Sequence, residues 1–276
     1  MRPRIVADDG QIGFYWTTPD GTPCTLQSLV ASDDEPDRLT ATHLAALDDA
    51  LIDAAGRFGE LLGGGRRPDP DERAALTELH HSLDGLCADY AAAAATGIGV
   101  DARAGKIIGT AALMSILARA PLGLLGPAPL DGELDTPSPG VVGGYGDMTS
   151  VDEQRPWKGA RWVVRTESGQ RLPLTLQMLL FDSSGVNKEA ARREHREAIE
   201  SVLAAAGHPD ADPLDVACAL DWLLYDWLMA HRDGPDSAEI VMVGDAATQQ
   251  QVARMIVRAA AASVAARATV DPALAI

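Results

Sequence analysis

A five-residue phrase occurs twice in this chain. Pro23-Cys24-Thr25-Leu26-Gln27 and Pro173-Leu174-Thr175-Leu176-Gln177 share the pattern P-x-T-L-Q. Repetition constrains a fold strongly, because a repeated stretch reads as a repeated structural unit. The surroundings of the two copies also match. Each is preceded by an aromatic or β-branched run and a glycine turn, "GFYWTTPDGTP" and "RWVVRTESGQRLP", and each reads as a β-hairpin. Within and after the phrase, Cys24, Leu26, Ser28 and Val30 recur at period two, as do Leu174, Leu176, Met178 and Leu180. Period two predicts a strand with one buried face.

The match continues downstream. Leu47–Gly56 aligns with Ala198–Gly207, both ending Ala-Ala-Gly as helices do. The first copy then carries an extra "RFGELLGGGRR". Pro68-Asp69 next aligns with Pro209-Asp210. That register places Leu76, Leu79, Leu83, Leu86 and Cys87 opposite Ala217, Leu220, Leu224, Trp227 and Leu228, apolar at helical spacing in both. Last, "GIGVDARAGK" and "VMVGDAATQQ" each read as a short strand, an Asp and the start of a long helix.

The expected architecture is α+β: an internal duplication of a β-β-α-α-β-α unit in two pseudo-symmetric halves, with helices covering a mixed or antiparallel sheet. Residues 1–120 form the first repeat, 121–159 a Pro/Gly-rich linker, and 160–276 the second repeat. Leu122, Leu124 and Leu125 predict that the start of the linker packs down.

Composition narrows the function. A net charge of −17 excludes a nucleic-acid backbone as partner and disfavours an anionic membrane surface. No apolar run approaches the ~20 residues of a bilayer span, and the start "MRPRIVADDGQ" has no apolar signal region. Cys24, Cys87 and Cys218 lack paired spacing and read as small buried apolar residues in a reduced, cytoplasmic protein. No metal or cofactor motif is present, and none is expected.

Few residues offer chemistry. His80 and Asp84 are i,i+4 neighbours at the edge of a buried helical face, where a carboxylate could orient an imidazole base. They are the candidate catalytic residues, and the alignment opposite Asp221 and Tyr225 leaves the pair unduplicated. The "GIGVDARAGK" stretch fails the phosphate-loop pattern: five residues separate Gly99 from Gly105, and Ile107 follows Lys106. Asp101 and Asp245 are positioned as N-caps of the helices that follow. Ser183-Ser184 reads as a turn and cap. Phe14-Tyr15-Trp16, Trp157 and Trp162 read as anchors of the hairpins. Trp222, Tyr225 and Met229 form a second apolar stripe on a helix that already has one, which points to a partner-binding or self-association surface.

The expected function is a non-catalytic protein–protein interaction module: an adaptor, chaperone-like protein or regulatory subunit of a bacterial cytoplasmic system. The alternative is an enzyme or small-molecule-binding protein. Its site would lie between the two halves, drawing on His80, Asp84 and the aromatics, with His80, Asp84 or Gln27 and Gln177 converging on a shared pocket.

Overall fold

The computed structural model describes residues 3–8, 11–17, 23–30, 36–62, 67–126, 132–133, 162–165, 171–181, 187–234 and 239–270. Within these, the repeated phrase is a helix start, not a strand. Thr25 precedes α1 (Leu26–Val30) and Thr175 precedes α5 (Leu176–Phe181). The Thr25 hydroxyl accepts the Ser28 N–H at 3.2 Å, and the Thr175 hydroxyl accepts the Met178 N–H at 3.2 Å. This is the bond of an N-capping threonine. Leu26 and Leu176 are fully buried. A short apolar run fits period two and period 3.6 alike, and here capping decides for the helix.

The first turn of each short helix is also held from outside. Asp89 accepts the Leu26 N–H at 2.9 Å, and Asp226 accepts the Leu176 N–H at 2.8 Å. Their carrier helices are α3 (Pro70–Ala95) and α7 (Pro213–Ala230). The P-x-T-L-Q phrase thus encodes a cap, a buried leucine and a backbone donor aimed at a buried carboxylate.

The remaining helices are α2 (Pro36–Leu62), α4 (Ala102–Arg119), α6 (Lys188–Ala206) and α8 (Ala246–Ala268). Asp69, Asp101, Asn187, Asp212 and Asp245 cap five of the long helices through their side chains. α4 lies at the centre, packed on α2, α3, α7 and α8. The segment Ala102–Leu122 is long and apolar enough to cross a membrane, and here 72% of it is buried inside the protein. Buried side chains from both halves, Leu26 to Ala118 and Leu176 to Ala260, form one continuous cluster.

This overturns the expected α+β fold and its β-β-α-α-β-α duplication. The core formed by the described side chains lies almost wholly on the helices. The strands form two three-stranded sets. β1 (Pro3–Asp8), β2 (Gln11–Thr17) and β3 (Pro23–Cys24) pair antiparallel; β4 (Gly132–Glu133) pairs parallel with β5 (Trp162–Arg165), and β5 antiparallel with β6 (Arg171–Leu174). The strands expected before α4 and α8 do not form. Residues 97–101 are a turn and extended chain opening at Gly97 with φ 116°, and Ile240 makes only an isolated bridge to Arg232. Two buried side chains, Ile98 and Val100, mimic a strand by alternation while their backbone joins no sheet.

The linker start is anchored. A 3-10 turn at Ala120–Leu122 follows α4, and Arg73 reaches the carbonyls of Pro121 and Leu122. Leu122 and Leu125 pack on the core, whereas Leu124 is 53% exposed, against expectation. Ser183-Ser184 and Trp157 lie outside the described residues, as do the side chains of Cys24, Phe14, Tyr15, Trp16 and Trp162.

Candidate functional site

Four helices bring charge into the centre of the bundle. α3 supplies Asp84, α4 supplies Ser115 and Arg119, α7 supplies Asp221, and α8 supplies Ser263 and Arg267. All six are buried. Asp84 accepts the Ser115 hydroxyl at 2.6 Å and an Arg267 N–H at 2.5 Å. Asp221 accepts the Ser263 hydroxyl at 2.5 Å and two Arg119 N–H groups at 2.5 and 3.0 Å. Each aspartate therefore takes its serine from a helix of its own half and its arginine from the other half. The two ion pairs cross.

Burial pushes Asp84 toward the neutral acid. Arg267, then the His80 hydrogen bond and Arg119, overcome that and hold its carboxyl well below the usual range. The same field acts on Arg267: burial opposes its charge, and Asp84 and Asp221 more than restore it. Cys87, beside them, has its thiol pushed up by burial and by the Asp84 charge, so it is no nucleophile.

The candidate pair is brought together. His80 Nδ1 lies 3.5 Å from Asp84 Oδ2, and both side chains are buried. The arrangement does not resemble an activated nucleophile. Ser115 donates not to the imidazole but to the Asp84 carboxylate, which its charged neighbours hold well below the usual range and so make a poor base. The cavity at this cluster measures about 10 Å³, room for about one water-sized probe and no substrate.

The sequence alignment set Tyr225 opposite Asp84, whereas the α7 aspartate that joins the buried cluster is Asp221, four residues earlier. A helix shifted by about one turn keeps the same face inward, so an apolar pattern cannot detect the error. Two legible signals were available: Asp-x-x-x-x-Asp at Asp84–Asp89 and Asp221–Asp226, and Ser-x-x-x-Arg at Ser115–Arg119 and Ser263–Arg267. Each places charge in an otherwise apolar helix face.

Other histidines are also structural in setting. His43 lies against Tyr90 and His195 against Trp227, with ring centroids 6.2 and 6.0 Å apart. His195 Nε2 donates to the Leu223 carbonyl at 2.8 Å. His231 stacks on Trp227 at 4.3 Å and donates to its carbonyl at 2.8 Å. Burial lowers His43 and His231 to about 4, so both are neutral at pH 7.

Trp222 is 4% exposed, and its indole N–H donates to the Gly126 carbonyl at 2.9 Å. It meets Tyr225 edge-on at 5.8 Å, and Tyr225 and Met229 are half-buried. Trp222 therefore packs beneath the start of the linker. Gln27 is exposed and Gln177 half-buried, and neither meets His80 or Asp84. Lys106 pairs with Glu239, while Gly105 sits inside α4 against α8, not in a phosphate loop. Among the described residues no group of three or more His, Cys, Asp or Glu could hold a metal ion.

Comparison with protein-family models, with curated proteins and with solved structures finds no match to this chain.

Proposed function

We propose that this chain is a non-catalytic protein-interaction module, of the adaptor, chaperone-like or regulatory-subunit kind. One observation carries the reading. The groups best suited to acid–base work, His80, Asp84 and Ser115, are engaged with one another and with Arg267 around a cavity of about 10 Å³. Larger concavities lie on the outside of the helices and are lined mainly by apolar side chains. Such surfaces suit helix-to-helix contact. The charge of −17 favours a basic partner. The free thiols Cys87 and Cys218 fit a reduced compartment.

Native mass spectrometry of the protein purified from its own host tests this reading. A stoichiometric protein partner is the expected result. A stoichiometric small molecule, with no protein, overturns it and returns attention to a ligand site between the halves.

A further inference from the structure

The first residues of the extra stretch, Arg57 to Leu62, continue α2 and change the surface of the bundle. They make α2 27 residues long, against 19 for α6. α6 lies packed along α7. α2 instead follows α4 and α1, and a cleft of about 230 Å³ stays open between it and α3. Ala54, Phe58, Leu79 and Leu83 form the apolar floor, and Asp53 and Glu78 stand on the rim. Phe58 comes from the extra stretch itself. Arg57, also from it, is turned back onto its own helix. Its guanidinium lies 5.1 Å from the Phe58 ring centroid and 3.6 Å from Asp53.

Size and charge select the occupant. Small-molecule pockets usually measure about 300–1,000 Å³, so this cleft is small for a metabolite. A cavity of ~150 Å³ holds a benzene ring, so the cleft accepts one or two apolar side chains. Its rim carries two carboxylates against one arginine, on a chain of charge −17. That repels an acidic partner and favours cations beside the apolar anchors.

We infer that the α2–α3 cleft is a docking site for an amphipathic helix of a partner protein, one presenting apolar side chains at helical spacing flanked by lysine or arginine. This inference rests on the interaction-module reading. The helix seats an apolar side chain in the cleft against Leu79 and the exposed edge of Phe58, above buried Leu83, and its cations meet Asp53 and Glu78.

The test titrates the full chain with a synthetic amphipathic Leu/Lys helical peptide and with its Leu/Glu counterpart. Calorimetry gives the affinity, and hydrogen exchange locates the contact. The Leu/Lys peptide binds and protects α2 and α3, while the Leu/Glu peptide does not bind. Asp53→Lys with Glu78→Lys weakens binding by about tenfold or more. Both side chains are exposed, so the unfolding midpoint of this double variant stays unchanged. Leu79→Asp abolishes binding. Binding that survives both variants, or protection mapped elsewhere, overturns the docking site without touching the interaction-module reading. Light scattering that shows self-association lost in Leu79→Asp overturns the choice of occupant, because the cleft then serves a second copy of this chain.

Discussion

Asp84 and Arg267 stand 183 positions apart in the chain and meet at 2.5 Å in the middle of the bundle. Neither is accessible to water to any extent that would replace the other. Removing one partner leaves the other charged and buried, which costs about 3–5 kcal/mol. Arg267→Met and Asp84→Asn are each expected to lose about that much stability in urea unfolding. Asp84→Asn combined with Arg267→Met loses less than the sum, by about 2 kcal/mol. Additive losses would show that the two residues act separately.

The pH dependence has two opposed parts. His43 and His231 sit at about 4 in the folded protein and ordinarily at 6.5. Below pH 6.5 the unfolded chain takes up protons that the folded chain refuses. Stability is therefore present above 6.5 and lost as pH falls toward 4, by up to about 3 kcal/mol per histidine. His43→Gln is expected to flatten this slope between pH 6.5 and 4 in urea midpoints measured across that range.

Asp89 runs the other way. Burial raises it to about 6, against the pull of the Leu26 and Gln27 N–H groups. The folded state binds the extra proton, so this residue's contribution is full below pH 3.8 and is lost as pH rises through 6. The loss amounts to about 2–3 kcal/mol. Asp89→Asn keeps an acceptor for Leu26 and is expected to remove that fall. An unchanged slope between pH 4 and 7 would show that Asp89 titrates normally.

Thr25 and Thr175 separate the helical reading of the repeated phrase from the strand reading. Valine suits a strand as well as threonine does, but it cannot accept the Ser28 or Met178 N–H. Thr25→Val and Thr175→Val are each expected to cost about 1 kcal/mol, measured by thermal unfolding. No loss would favour the strand.

Gly105 sets how closely α4 approaches α8. A Cβ built there would lie 2.6 Å from the Ala253 Cα, and closer still to its Cβ. Gly105→Ala is expected to cost about 1–3 kcal/mol by overpacking. Ala253→Gly in the same chain recovers part of the loss, which a cavity effect elsewhere would not do.

What was legible in the sequence was the position of most helices and their caps, because capping residues and 3.6-residue spacing are local. Asp101 and Asp245 cap α4 and α8 as their spacing predicts. The strand–helix choice at Leu26 and Leu176 was not legible, since five or six apolar-leaning residues fit either period. The place of Asp221 in the buried cluster was hidden because apolar spacing does not mark which inward positions carry charge. The arginine partners were hidden for another reason. Arg119 and Arg267 look like ordinary solvent-facing residues at helix ends, and only tertiary packing shows that they close a buried circuit.

The crossing of the ion pairs carries a consequence in time. A chain leaves the ribosome at about 5–20 residues per second, so Asp84 emerges roughly 10–40 s before Arg267 can reach it. Until Asp221 is made, the first four helices hold both Asp84 and Arg119 without their ion-pair partners, and Asp84 waits longer still, until Arg267. The last helix, α8, arrives as the closing bolt, and a ribosome stalled before residue 267 holds a chain with its centre still open to water or to chaperones.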